Sequence, residues 1–211
     1  MNSHFQLGNK DKTFNLDHGF LPNKDPSLLD HTNTSHSSWL RCAADLPKTL
    51  ETSNIRKTIE SLPEFDLDSL TGQSTSETLL RHEQAMVTLS FLAHAYVWCD
   101  PSNPATRLPK KIASPWYRVA TQLGRPPVLS YASYALCNWK RLDSESPIQL
   151  GNICLQQNFL GGLDEEWFIL IHVDIEAKAI PALQSLIPLL EAAHTRHIDE
   201  AQYHLTQVHK H

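Results

Sequence analysis

No stretch of this sequence has the roughly 18 consecutive uncharged apolar residues that a membrane-spanning helix needs, although 41% of its 211 residues are hydrophobic. Long basic runs are also missing, and the formal net charge of −5 argues against nucleic acid or an anionic membrane as the main partner. The first residues, MNSHFQLGNKDKTF, lack the apolar core of a signal peptide. These absences predict a cytoplasmic protein with no nucleic-acid or membrane partner.

Several familiar catalytic motifs are missing too. The sequence contains no GxSxG, no P-loop and no GxGxxG, so it gives no support to a hydrolase, an NTPase or a dinucleotide-binding enzyme. Its cysteines form no CxxC pair for zinc or redox chemistry and no CxxCH for covalent haem. We expect four free thiols in a reducing compartment: Cys42, Cys99, Cys137 and Cys154.

Histidine, by contrast, is frequent, with twelve residues in the chain. Five of them follow residue 193, but no HxxxH or HExxH motif occurs there, and the pair His194 and His197 lacks an obvious third ligand. A solvated polar helix face explains them better than a metal site. No metal ligand is therefore predicted within this sequence.

Helical periodicity dominates the rest of the sequence, and the predicted class is all-α. The clearest helix covers 76–99, where Ser74 and Glu77 have the spacing of a capping box and Asp100-Pro101 ends the helix. A further helix is predicted in SPWYRVATQLG, with Ser114 as N-cap and Gly124 as the C-terminal stop.

The predicted organisation has three parts: an extended arm at 1–37, a small helical domain at 38–150, and the start of a larger helical domain at 151–211. The arm is polar and is punctuated by Gly19, Pro22 and Pro26, with Phe20 and Leu21 as its anchors. In the third part we expect a short strand at 153–155, then a helix capped by Asp164. Helices also cover 182–211, with a break or kink at Pro188.

The segment YASYALCNW raises the first question about a ligand. Tyr131, Tyr134, Ala135 and Asn138 are spaced i, i+3, i+4 and i+7, so on a helix capped by Ser130 they would share one face. That face is partly aromatic and partly small. Both ordinary core and the wall of a pocket for a flat ligand fit the pattern.

The segment 167–179 raises the second question. It is apolar nearly all round, so its few polar side chains are expected to be enclosed. His172 and Glu176 are four residues apart, as are Asp174 and Lys178, and each pair can satisfy its own members. A satisfied core histidine and a ligand-binding or catalytic histidine both remain open for His172.

Several segments occur together in an order typical of one family. They include GFLP (19–22), AHAYVW (93–98), LGRPPVLSYAS (123–133) and DEEWFILIHVDIEAKA (164–179). The sequence resembles the indoleamine 2,3-dioxygenase family, especially its bacterial and fungal branch, from about residue 16 to at least 193.

The resemblance implies an all-helical haem protein in which a small N-terminal domain caps a larger helical domain. It implies haem b, an indole substrate and O2, and oxidation of tryptophan to N-formylkynurenine in the kynurenine pathway. His172 is the candidate catalytic residue, at a position where mammalian relatives have serine. The resemblance places the haem distal and substrate pocket at Tyr131, Tyr134, Ala135, Trp167 and Phe168.

The family's proximal histidine, which ligates the iron, lies farther along the family sequence than this chain extends. The expectation is therefore an N-terminal half of a dioxygenase. Its expected partners are a complementary C-terminal half or a second copy bound through exposed helices at 182–211. The alternatives are a catalytically inactive helical remnant or binding module without haem, and a family member that acts on another indole.

Overall fold

The computed structural model describes residues 15–26, 34–52 and 54–211, and the described chain is mainly helical. This confirms the predicted all-α class. No described helix is long and apolar enough to cross a membrane. The elements in chain order are α1 (Thr34–Ala44), α2 (Leu46–Glu51), α3 (Ile55–Ser61), a 3₁₀ turn (Asp68–Leu70), α4 (Thr75–Trp98), α5 (Lys110–Gln122), a π-helical turn (Ala132–Leu136), β1 (Trp139–Arg141), β2 (Ile153–Leu155), α6 (Leu163–His194) and α7 (Ile198–Lys210).

Helix α4 is the central element of the first core. The Ser74 hydroxyl accepts a hydrogen bond from the backbone N–H of Glu77 at 3.1 Å, and the Glu77 carboxylate accepts one from the backbone of Gln73 at 2.8 Å. The first bond satisfies an N–H group that a helix start leaves free, and the second ties the residue before the N-cap to the helix. The predicted helix and its cap are confirmed, with both ends within one residue.

The first core surrounds α4 on several sides. Trp39 of α1 is fully buried, and its indole N–H donates to the Pro63 carbonyl at 3.0 Å. Trp116 of α5 donates to the Ser90 hydroxyl of α4 at 3.0 Å. Each large aromatic ring thus contributes apolar burial while its polar atom is satisfied. The four cysteines are free thiols, as predicted.

A second, smaller core joins the two-stranded sheet to α6. Its members are Leu21, Leu136, Trp139, Ile153, Leu170 and Val173. Leu21 therefore anchors the N-terminal arm as expected, whereas Phe20 is 46% exposed. Strands β1 and β2 pair antiparallel, with Trp139 opposite Leu155. This pairing links the two sides of residue 150, where the sequence predicts a domain boundary; the three-part division stays a prediction.

Two helix starts differ from the predictions. Helix α1 begins at Thr34 rather than Ser38, and the part of the predicted arm at 1–14 and 27–33 lies outside the described residues. Helix α5 begins at Lys110, so Ser114 is not its N-cap and Pro115 lies inside it. Burial explains this earlier start, because Ile112 lies one turn before Trp116 on the same buried stripe.

Helix α6 also differs from the predictions. Its N-cap is Gly162, and Asp164 lies in the first turn without capping it. The helix continues through Pro181 and Pro188, since a proline inside a helix removes one backbone hydrogen bond without necessarily ending it. The break instead follows His194, where Arg196 adopts a left-handed backbone with φ of 59°.

Candidate functional site

The π-helical turn determines which side chains of residues 131–138 are buried and which are exposed. The backbone N–H of Cys137 donates to the Ala132 carbonyl, five residues earlier, at 2.9 Å. Turns of this kind are rare in proteins as a whole, but those that occur lie frequently at functional sites. Ser130 does not cap the turn with its side chain. The four predicted positions therefore do not share one face: Ala135 and Asn138 are fully buried, and Tyr131 is 44% exposed.

Asn138 holds the turn in place rather than facing a ligand. Its side-chain amide donates to the Gln157 carbonyl at 2.8 Å, and its oxygen accepts from the Gln157 N–H at 2.9 Å. The Gln157 side chain in turn donates to the Ala43 carbonyl of α1 at 2.5 Å. Because all of these groups are buried, losing one would leave its partner unsatisfied.

Four rings from the turn and from α6 come together to form what we call the aromatic face: Tyr131, Tyr134, Phe168 and His172. The ring centroids are 6.2 Å apart for Tyr134 and Phe168, 4.4 Å for Phe168 and His172, and 5.8 Å for His172 and Tyr131. Phe168 is 53% exposed, so the aromatic face is open to a ligand on one side.

The aromatic face is fixed to the first core from behind. Tyr134 stacks on Phe91 of α4 at 5.7 Å, and Phe91 stacks on Phe159 at 4.5 Å. Phe159 is positioned by Glu165, whose carboxylate accepts from the backbone N–H groups of Phe159 and Leu160 at 2.8 and 2.9 Å. Sequence reasoning did not identify this role of Glu165.

One hydrogen bond determines which ring nitrogen of His172 is left to bind a ligand. Its Nδ1 lies 2.5 Å from the Phe168 carbonyl oxygen. A carbonyl only accepts hydrogen bonds, so Nδ1 carries the proton and Nε2 of the neutral ring is an acceptor. The predicted pairing of His172 with Glu176 is wrong, because Glu176 instead accepts from the Tyr131 hydroxyl at 3.2 Å.

Tyr131 remains a neutral hydroxyl donor in this arrangement. Partial burial and the neighbouring Glu176 carboxylate raise the pKa of Tyr131 to about 12. Burial also raises the pKa of Tyr134, with a smaller contribution from Glu165. Both phenols therefore stay protonated around neutral pH.

The other polar pair of α6 forms as predicted, with Lys178 Nζ 2.6 Å from the Asp174 carboxylate. Asp174 is 5% exposed and also accepts from the Leu150 N–H at 3.2 Å, which ties the preceding loop to α6. The expected enclosure of the segment's polar side chains holds for Asp174 but not for Lys178, which is exposed. Trp167 is 55% exposed and makes no ring contact with any described residue, so it does not join the aromatic face.

The described residues contain no group of three or more side chains suited to holding a metal ion. His172 is the one described histidine whose ring contacts the aromatic face. The hydroxyls of Ser130 and Ser133, beside and within the π-helical turn, are buried and have no partner among the described residues. The rings of the aromatic face fit one wall beside a flat macrocycle.

Comparisons with known proteins identify the family of this chain. A model of the indoleamine 2,3-dioxygenase family matches residues 10–211. The chain belongs to the indoleamine 2,3-dioxygenase family. This confirms the resemblance drawn from the sequence.

Curated relatives come from animals and fungi. Indoleamine 2,3-dioxygenase 1 of Mus musculus is 32% identical over 169 residues, which cover 80% of this chain and 40% of the relative. Indoleamine 2,3-dioxygenase of Saccharomyces cerevisiae is 33% identical over 181 residues, which cover 83% of this chain and 39% of the relative. The chain thus spans about 40% of the length of these indoleamine 2,3-dioxygenases.

Proposed function

We propose that this chain supplies the substrate-binding wall of a haem-dependent dioxygenase that oxidises the indole ring of tryptophan, or of a related indole, to the N-formylkynurenine type of product. Membership of the indoleamine 2,3-dioxygenase family supports the reaction class. The observation that carries the proposal is His172, because its ring contacts both Tyr131 and Phe168 and its Nε2 is an acceptor. An indole is a flat apolar ring with a single N–H donor, so it matches this arrangement.

The chain's own residues bind and orient the substrate. The indole ring packs against Phe168 and Tyr131, the two exposed members of the aromatic face. Its N–H donates to His172 Nε2, a neutral hydrogen bond that contributes about 1 kcal/mol. Tyr134 does not need to move, since its stacking on Phe91 holds it in place. His172 thus acts by positioning the ring rather than by taking up a proton.

The proposed cofactor is haem b, which the family requires. When bound, it supplies the binding and activation of O2, chemistry that no side chain of this chain provides. The aromatic face would line its distal side. A complementary C-terminal part of the family fold, or a second copy, would complete the pocket.

Ligand binding tests the orientation directly. Indole and 1-methylindole have the same flat ring, but 1-methylindole cannot donate a hydrogen bond. We expect the chain to bind indole about fivefold more tightly, as measured by ligand-detected NMR, because one neutral hydrogen bond is lost. His172→Phe should remove the preference while keeping a ring in place, and His209→Phe on exposed α7 is the matched control. A preference that survives in His172→Phe would reject the assigned role.

A titration with hemin tests the cofactor proposal. We expect weak binding by this chain, without the absorption spectrum of one strong axial histidine. A stable, stoichiometric five-coordinate ferrous haem would contradict this expectation and assign a ligand among the chain's own histidines. Indole binding with no change in the hemin spectrum would favour the second candidate, a binding module of the same fold that works without haem.

A further inference from the structure

The aromatic face is shared between two elements that are distant in sequence. Tyr131 lies at the start of the π-helical turn, whereas His172 lies on α6, and their ring centroids are 5.8 Å apart. This separation depends on how the turn lies against α6. The turn ends at Leu136 and β1 begins at Trp139, so whatever fixes β1 relative to α6 also fixes the turn.

Residues 15–26 lie against both elements, and we call this segment the clamp. Its C-terminal end holds the strands. Arg141 of β1 donates to the Asp25 carboxylate at 2.7 Å, and both side chains are only about one quarter exposed, at 25% and 26%. The side chain of Gln156, directly after β2, donates to the Pro26 carbonyl at 2.9 Å. One end of the clamp is therefore attached to the strand side of the gap.

The other end of the clamp holds α6. The Gln184 side chain donates to the Leu16 carbonyl at 2.9 Å. Gly19 is buried against α6, where an added Cβ would lie 3.2 Å from Leu183 Cδ1, so a side chain would fit only if Leu183 moved. With φ of 59°, Gly19 also has a left-handed backbone that other residues rarely adopt. The chain thus approaches α6 more closely here than a residue with a side chain could.

Leu21 joins the two ends of the clamp through the second core. It is 3% exposed and shares this core with Leu136 and Trp139 on the strand side and with Leu170 and Val173 of α6. Removing a buried leucine leaves a cavity or lets the surrounding elements shift. Here the surrounding elements are those that carry the aromatic face.

We propose that the clamp sets the separation between the π-helical turn and α6, which makes Leu21 and Asp25 positioning residues of the aromatic face. Its effect on ligand binding rests on the proposed function, whereas its effect on the ring separation does not. If the clamp only stabilised the fold, a buried leucine elsewhere would matter to the site as much as Leu21.

Two measurements on the full chain separate these possibilities. One is the nuclear Overhauser contact between the Tyr131 and His172 rings, and the other is indole affinity by ligand-detected NMR. Leu21→Ala should lose the ring contact and bind indole about fivefold more weakly, since an indole held by one wall loses its bond to His172. Leu21→Met, which conserves volume, should keep both. Leu70→Ala is the matched control, because Leu70 is fully buried in the first core.

A milder variant tests the clamp without creating a cavity. Asp25→Asn removes the charge that pairs with Arg141 and should weaken indole binding about twofold, in the range of a part-exposed ion pair. Asp25→Glu should behave like the parent. Asp45→Asn removes the carboxylate of an exposed pair with Lys48 and serves as the control. This series decides the question if Leu21→Ala does not fold.

Two outcomes overturn the inference. One is a Leu70→Ala variant that changes the ring contact and the affinity as much as Leu21→Ala does. The other is a ring contact and affinity that stay unchanged in both Leu21→Ala and Asp25→Asn. If the ring contact responds to the clamp variants but the parent binds no indole, the proposed function fails and the clamp stands.

Discussion

Helices α4 and α6 are both apolar on more than one side, yet the structure buries them very differently. Twelve of the 24 residues of α4 are buried. Only five of the 32 residues of α6 are buried, and α7, which packs on it, has none. An apolar sequence therefore identifies a helix that can be buried, and its neighbours decide whether it is.

This difference divides the molecule into a closed part and an open part. The closed part surrounds α4 and holds Phe91, on which Tyr134 stacks. The open part is α6 with α7, and it presents the aromatic face near one end and an apolar groove near the other, with Leu189, Ala192, Ile198 and Leu205 in its lining. The candidate site lies where the open part meets the closed one. A rigid support and an accessible surface are both available there.

The sharpest contrast comes from one substitution made in each helix. Leu92→Ala removes a fully buried side chain of α4 and should lower the free energy of unfolding by about 2–5 kcal/mol. Leu190→Ala on α6 removes a side chain that is 55% exposed and should cost less than about 1 kcal/mol. Urea unfolding followed by circular dichroism measures both. Equal losses would show that α6 is as enclosed as α4.

The second-largest loss of stability is expected for a buried carboxylate of the open part. Asp174→Asn weakens the bonds to Lys178 and to the Leu150 N–H. We expect a loss of about 1–3 kcal/mol, the range for a buried polar group that loses its partner. Asp164→Asn, at an exposed position of the same helix, serves as the control in the same urea experiment. If the two variants are equally stable, Asp174 does not tie the loop to α6.

The closed part should respond to pH through His36. Burial lowers the pKa of this histidine, and its bond to the Asp66 carbonyl and the Asp66 charge oppose the shift without reversing it, while Arg81 adds to the lowering. Below the ordinary histidine pKa of about 6.5, the folded chain binds fewer protons than the unfolded chain. The free energy of unfolding is therefore constant with respect to His36 above that pH and decreases as pH falls below it. Urea midpoints at pH 7.5 and 5.5 should differ less in His36→Gln than in the parent, with His209→Gln as control. An unchanged difference in His36→Gln would assign the pH response to other groups.

The smallest effect is expected on the self-association of the chain. Leu190 and Leu205 are both more than half exposed in the open part. Exposed apolar side chains favour contact between copies of a chain, so we expect weak, concentration-dependent self-association in sedimentation velocity. Leu190→Lys with Leu205→Lys should shift the chain toward monomer, whereas Arg107→Ala in the closed part should not. A parent that stays monomeric at all concentrations would argue against this surface as an interface.

Local chemistry made part of the fold predictable. Ser74 with Glu77 marks the start of α4, and Gly124, with φ of 67°, occupies the left-handed position after α5 that glycine tolerates best. The errors arose where distant contacts decide the outcome. Pro115 lies within α5 because the stripe around it is buried against α4.

For the site, the sequence pattern singled out Tyr131, Tyr134 and His172, and the family resemblance added Phe168, but neither gave their partners. An i, i+4 rule pairs His172 with Glu176, whereas the structure gives Glu176 to Tyr131, 45 residues away in sequence. The π-helical turn likewise removes Ala135 from the expected face, and no single-residue propensity signals such a turn.

A map of backbone amide chemical shifts during titration with indole tests the central claim most directly. The account predicts that the largest changes cluster at Tyr131, Phe168 and His172, with a smaller response at Glu176 and little change in α1 or α3. Changes centred instead on the α6–α7 groove, at Leu189 and Leu205, would contradict it, as would no change anywhere at saturating indole.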